Sequence, residues 1–215
     1  MKTLVAIPCM DMVHTGFFKS VIGMRPVGEA RFSLTASSLV YDARNNLAKQ
    51  AIREGCDRIL WLDSDMEFPG DLMQRLAADL DEGRDFVSGL YFRRRAPLAP
   101  VVYKQVDYKQ SPEGALTPQA VSYDDYPKDS IIEVAGVGFG CCMMTTKIVE
   151  DVVKQFGLPF SPILGFGEDL SFCLRLTKMG IKMYCDTSIK CNHIGFYEYG
   201  ESDYIAQEAA KNGNA

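Results

Sequence analysis

Two rhythms of apolar positions run through the first ninety residues. Thr3-Leu-Val-Ala-Ile-Pro8 is a nearly unbroken apolar run closed by proline, which predicts a buried strand. Val40, Ala43, Leu47 and Ala51 then recur at helical spacing, between a capping Ser37 or Ser38 and Gly55. Ile59–Leu62 is a second apolar strand, so strand, helix and strand predict parallel pairing through a right-handed crossover. Pro69 opens a further helix with the stripe Leu72, Met73, Leu76 and Leu80, ended by Gly83, and Phe86–Tyr91 is a third strand. Between the first strand and first helix, residues 9–36 show little periodicity and read as a loop with one short helix.

The rhythm changes after residue 92. Residues 93–130 carry five prolines and many tyrosines; Val101–Tyr108 suits an exposed strand and Ser111–Asp129 a mobile loop or hairpin. Ile131–Ala135 and Phe139–Thr145 read as strands around Gly136-Val-Gly138. Lys147–Phe156 and Glu168–Met179 read as helices stopped by Gly157 and Gly180. Ile181–Cys185 and Ser188–Asn192 close the sheet, and the tail carries Tyr197, Tyr199 and Tyr204. The order predicts an α/β fold in one domain, residues 1–215, with regular α/β alternation at 1–92 and a more mixed half at 93–215.

Composition narrows the function classes. A length of 215 residues with 47% hydrophobic and 24% charged residues is that of a globular chain, and a net charge of −5 argues against nucleic-acid binding. Seven cysteines without a CxxC pair point to buried thiols in a reducing compartment. No apolar run reaches the length of a membrane span, and Met1 runs almost directly into the first strand, leaving no room for a signal peptide. The expectation is a cytoplasmic protein.

The candidate chemistry starts where the second strand meets water. Asp63-Ser64-Asp65 sets two carboxylates at the C-terminal mouth of a buried strand, the place where open α/β sheets bind ligands. Their oxygens suit Mg²⁺ or Mn²⁺, and such an ion can neutralise a diphosphate. Gly165-Phe-Gly167-Glu168-Asp169 opens a helix with two acids, one of which can act as general base for an attacking hydroxyl. Adjacent helix positions diverge by about 100°, so only one acid faces a given substrate atom. His193 follows the last apparent strand and suits a Mn²⁺ shell with the Asp63 and Asp65 oxygens. Arg44-Asn45-Asn46 lies mid-helix; a solvated face is its ordinary reading, but a place beside the first strand suits phosphate and base edges. Arg93-Arg94-Arg95, the one dense basic run, is either a solvated loop or an anion or acceptor contact. Gly136-Val-Gly-Phe-Gly140 comes too late for a dinucleotide fingerprint and suits close packing or ligand approach.

In this order the elements resemble the GT-A fold glycosyltransferases, especially the large family 2 of mostly inverting enzymes. The carrying pieces are Val5-Ala-Ile-Pro8, Ala43-Arg-Asn-Asn46, Leu62-Asp-Ser-Asp65-Met, Gly136-Val-Gly-Phe-Gly140, Gly167-Glu-Asp-Leu-Ser-Phe172 with Arg175, and His193, which span nearly the whole chain. The resemblance implies a Rossmann-like, mostly parallel mixed sheet flanked by helices. It implies a nucleoside-diphosphate sugar as donor, a uridine form favoured over a guanosine form. It places Asp65 and His193 on Mn²⁺ or Mg²⁺, with Asp63 on the metal or ribose. Pro8, Arg44, Asn45 and Ser64 would lie along the nucleotide. Asp169 would be the catalytic base and Glu168 a sugar or acceptor contact. The acceptor stays open among glycan, lipid-linked, protein and small-molecule hydroxyls. The chain lacks the Gln-x-x-Arg-Trp motif of processive synthases, which favours single transfer.

Two enzyme classes and one binding class compete. A nucleotidyltransferase would carry a Gly-rich basic loop after the first strand, where this chain has Cys9-Met-Asp-Met-Val-His14. A haloacid dehalogenase-type phosphatase would place its Asp-x-Asp after the first strand, with Thr or Val where Glu67 stands. The third rival is a non-catalytic sugar-nucleotide or glycan-binding module.

Overall fold

The computed structural model describes residues 1–195 and 198–212, so Tyr197 lies outside the described residues. In chain order the elements are β1 (Lys2–Cys9), α1 (Thr15–Gly23), β2 (Glu29–Ala36), α2 (Val40–Arg53), β3 (Arg58–Leu62), β4 (Met66–Glu67), α3 (Leu72–Asp81) and β5 (Phe86–Leu90). They continue as β6 (Val102–Gln110), β7 (Leu116–Ser122), β8 (Ile131–Val134), β9 (Gly136–Val137), β10 (Cys141–Thr145), α4 (Thr146–Phe156) and α5 (Glu168–Lys178). The chain closes with β11 (Met183–Lys190), β12 (Asn192–Ile194), β13 (Glu198–Tyr199) and α6 (Glu201–Asn212).

A seven-stranded sheet in the order β2-β1-β3-β10-β5-β11-β8 forms the centre. β1 pairs in parallel with β2 and β3, and β11 pairs in parallel with β5; β10 and β8 run antiparallel to their neighbours. The architecture is the α/β, Rossmann-like mixed sheet that the sequence predicts. β10, from the second half of the chain, lies between β3 and β5 of the first half, so one sheet serves both halves.

Both faces of the sheet are covered, which is why its central strands read as continuous apolar runs. Leu4, Ala6, Ile59 and Trp61 face one core with Leu47 of α2, Ile148 of α4 and Phe172 of α5. Val5, Ile7, Leu60 and Leu62 face the other with Phe17 of α1 and Leu72 and Leu76 of α3. The first core is built on aromatic rings: Trp61 meets Phe160 edge-on at 5.0 Å and Phe160 stacks on Phe172 at 4.8 Å.

Four elements differ from the sequence expectation. Residues 9–36 hold both α1 and the full strand β2 rather than a loop with one helix. β2 is an edge strand in which Ala30, Phe32, Leu34 and Ala36 alternate with Glu29, Arg31, Ser33 and Thr35, a strand signal that the loop reading missed; its Phe32 and Leu34 are 50% and 55% exposed. The two strands expected at 181–185 and 188–192 are one strand, β11. Its apolar pattern is broken by Asp186 and Thr187, both buried; the Thr187 hydroxyl donates to the Pro127 carbonyl at 2.7 Å. α2 starts at Val40 without a side-chain cap, while the Ser37 hydroxyl accepts from the Leu39 N–H in the turn before it. α3 starts at Leu72 rather than at Pro69, whose carbonyl accepts the Leu72 N–H. Ser111–Asp129 takes the hairpin alternative: β7 pairs with β6 along its length.

Candidate active site

The Asp63–Asp65 turn leaves the C-terminal end of β3, and four backbone hydrogen bonds pin it. The Asp63 N–H donates to the Gly140 carbonyl (3.0 Å) and the Met66 N–H to the Asp63 carbonyl (3.1 Å). The His14 N–H donates to the Ser64 carbonyl (3.1 Å) and the Ile194 N–H to the Asp65 carbonyl (2.7 Å). Ser64 therefore serves the turn through its backbone. Pro8 is buried at the end of β1; the register that sets Ala6 beside Trp61 carries Pro8 to the level of Asp63.

Arg44 ties the two acidic motifs together. It projects from α2 with only 2% of its surface exposed, between the faces of Trp61 (5.6 Å) and Phe139 (5.5 Å). Its Nη2 meets Asp63 Oδ1 at 2.7 Å and its Nε meets Glu168 Oε1 at 3.1 Å. Burial alone would lower its pKa, but Asp63 and Glu168 hold it above the ordinary arginine value. Burial raises the Asp63 carboxyl, and Arg44 opposes that rise. The planar guanidinium fork is suited to bridging two carboxylates in this way. Arg44 and Glu168 thus engage each other, and Asp63 turns toward Arg44.

Asn45, the next residue, accepts the Phe160 N–H on its Oδ1 at 3.0 Å, and its buried Nδ2 has no hydrogen-bond partner among the described residues. With Arg175, whose Nη1 and Nη2 donate to the Pro159 and Ser161 carbonyls (3.1 and 2.8 Å), it fixes the loop that leads into α5.

Asp65 belongs to a separate cluster. β4 and β12 pair Met66 with His193, which carries the imidazole to the Asp65 side chain. His193 Nδ1 lies 3.1 Å from the Phe92 carbonyl; because a carbonyl only accepts, Nδ1 carries the proton. Nε2 is then turned to Asp65 Oδ2 at 3.4 Å. A nitrogen and a carboxylate oxygen set this way can share a proton or a cation, and the bond of Nδ1 to a carbonyl leaves Nε2 free to act as a ligand. The donor set, one imidazole nitrogen and one carboxylate oxygen, fits Mn²⁺ or Mg²⁺ as a two-ligand site with room for phosphate or water oxygens. Among the described residues no three His, Cys, Asp or Glu side chains gather as a metal cluster, so the set Asp63, Asp65 and His193 is not brought together. Arg94 also reaches Asp65, with its Nη1 on Oδ2 and at 3.2 Å from the Ile194 carbonyl. Burial by itself would raise the Asp65 carboxyl, yet His193 and Arg94 hold it below its ordinary value.

Asp169 stands in the first turn of α5, whose N-cap is Gly167. Its Oδ1 accepts the Leu170 N–H at 2.7 Å. Burial, then the neighbouring Glu168 charge, push its carboxyl up to about 6. Of the two acids that open α5, Glu168 is taken by Arg44, and Asp169 is the one poised near neutrality.

Tyr91 joins these clusters, and the sequence reading missed it because an aromatic residue at a strand end looks like core. Its ring meets His193 edge-on at 5.6 Å and its hydroxyl accepts the Gly140 N–H at 3.2 Å. A Cβ on Gly138 would lie 2.1 Å from that hydroxyl, and one on Gly140 would lie 2.9 Å from the ring. The glycines of Gly136-Val-Gly-Phe-Gly140 are therefore small to admit Tyr91 and neighbouring side chains, the close-packing alternative. Beside Asp65, His14, Arg94, Gly195 and Tyr199 line a cavity of about 430 Å³.

No protein-family model and no curated protein matches this chain. Among solved structures it is similar to A197 from STIV, described by its crystal structure, with a TM-score of 0.64 at 20% identity over 91% of this chain and 86% of that one. At that identity the likeness is one of fold. Among the described residues no helix is long and apolar enough to cross a membrane.

Proposed function

We propose that the chain is a metal-dependent glycosyltransferase that moves a sugar from a nucleoside-diphosphate sugar to an acceptor hydroxyl. The observation that carries this reading is the His193–Asp65 pair, with Nδ1 spent on the Phe92 carbonyl and Nε2 turned to the carboxylate at 3.4 Å. A Mn²⁺ or Mg²⁺ ion held by Asp65 and His193 would supply charge neutralisation to the departing diphosphate. Asp169 takes the proton of the acceptor hydroxyl, for which its raised pKa suits it. Arg44 holds Asp63 and Glu168 in fixed orientation; in this reading they would serve the donor's ribose and sugar from those positions. Inversion at the anomeric carbon follows from a base that activates the acceptor directly, without a covalent intermediate. Acceptor choice is assigned to the segment 93–130 and the tail, apart from Arg94, which stands at Asp65.

Two variants test the assignment. Asp65→Ala should abolish Mn²⁺-dependent binding of the nucleoside diphosphate in calorimetry. Asp169→Asn should retain that binding and lower transfer about 10²-fold, the scale of general-base catalysis. Full Mn²⁺-dependent binding by Asp65→Ala, or near-normal transfer by Asp169→Asn, contradicts the respective role.

A further inference from the structure

The Arg93–Arg95 run stands on a short loop closed at its base. The Arg93 N–H donates to the Ala99 carbonyl (3.0 Å) and the Val101 N–H to the Tyr91 carbonyl (2.9 Å). The loop projects Arg94 onto the same Asp65 oxygen, Oδ2, that faces His193 Nε2. A cationic group thus stands on the one carboxylate oxygen that a divalent ion would use. Arg94 is half exposed, and it also lines the adjoining cavity with His14, Gly195 and Tyr199. Its two settings, Asp65 on one side and an open cavity with a second cationisable side chain on the other, differ in the sign of the group they offer.

We propose that Arg94 is an exchangeable counter-ion: it occupies Asp65 in the ligand-free protein, yields that oxygen to the divalent cation, and then binds the phosphate groups entering the cavity. The inference rests on the cation-dependent reading of the site. A guanidinium and a divalent ion cannot share one carboxylate oxygen at bonding distance without strong like-charge repulsion. The displaced guanidinium meets a diphosphate in the fork geometry that suits phosphate oxygens. The loss of a half-exposed ion pair is small, so the exchange is readily reversed.

The test uses Mn²⁺ alone, then inorganic diphosphate, with the full chain. Electron paramagnetic resonance titration of MnCl₂ without nucleotide should show Arg94→Ala binding Mn²⁺ about fivefold more tightly than the parent, because a competitor is gone. At saturating Mn²⁺, calorimetry should show inorganic diphosphate binding Arg94→Ala about tenfold more weakly, the scale of one charge-assisted contact. Arg94→Lys should fall between the two. Equal Mn²⁺ affinity in parent and Arg94→Ala overturns the exchange and leaves the cation site standing. Absence of Mn²⁺ binding in both folded proteins overturns the exchange and the cation-dependent reading together.

Discussion

At the scale of single residues, the site is a set of charges with unequal compensation. Arg44 is bonded to two carboxylates and enclosed by two aromatic rings. Removing one partner of such a buried set leaves uncompensated charge. Arg44→Met is therefore expected to lower stability by about 3 kcal/mol, read from the denaturant midpoint. A change below about 0.5 kcal/mol, typical of surface positions, would contradict the bridging role. Asp169 has the opposite character, a carboxyl raised to about 6 by burial and by Glu168. Its folded pKa lies above the unfolded value of about 3.9, so the folded state binds its proton more tightly. The stability contribution of the protonated form is complete below about pH 4 and is lost as pH rises through about 6. Asp169→Asn is accordingly expected to raise the melting temperature at pH 7 and to leave it unchanged near pH 4. In the proposed base role Asp169 works deprotonated, so the expected pH dependence of transfer runs the other way. Transfer by the parent should fall about tenfold per pH unit below 6. A flat profile between pH 5 and 7 would remove Asp169 from the base role.

At the scale of elements, the geometry of the site depends on close approach between β5, the glycine-rich passage into β10, and the β4–β12 pair. Tyr91 leaves β5, fills the space over Gly138 and Gly140, and supports the His193 ring. Gly138→Ala is expected to cost about 2 kcal/mol by overpacking and to weaken Mn²⁺ binding through displacement of Tyr91. The pair Gly138→Ala and Tyr91→Phe, which removes the hydroxyl that the new methyl meets, should be less destabilised than the sum of the single changes. Additive losses would show that the two positions do not touch. These contacts also mark what the sequence could and could not carry. β1, β3, β5 and the helices α2 to α5 were readable because each buries a stripe or run that only its own period produces. β2 carried the alternation of a strand, Ala30, Phe32, Leu34 and Ala36 between polar residues, but Gly16, Gly23, Pro26 and Gly28 before it drew a loop reading instead. The chemistry-bearing residues Asp63, Asp65, Asp169 and His193 could be found from spacing at element ends. Their grouping could not: that Asp63 turns to Arg44 while Asp65 turns to His193 is decided by long-range packing of α2, α5 and β12. Asn45 shows the same limit, because its bond to the Phe160 N–H joins α2 to a loop 115 residues away in sequence.

At the scale of the whole molecule, β10 inserts between β3 and β5 and makes the two halves one sheet. Asp65 and Asp169, drawn from opposite halves of the chain, are thereby held at one rim by a common core. The most direct test of that account is calorimetric binding of uridine, guanosine, thymidine and cytidine diphosphates and their sugars, with Mn²⁺ and with chelator. The account predicts Mn²⁺-dependent binding of one base, the uridine form first, that chelator abolishes. Binding confined to nucleoside triphosphates, or no nucleotide binding by the folded protein with Mn²⁺ present, would contradict it.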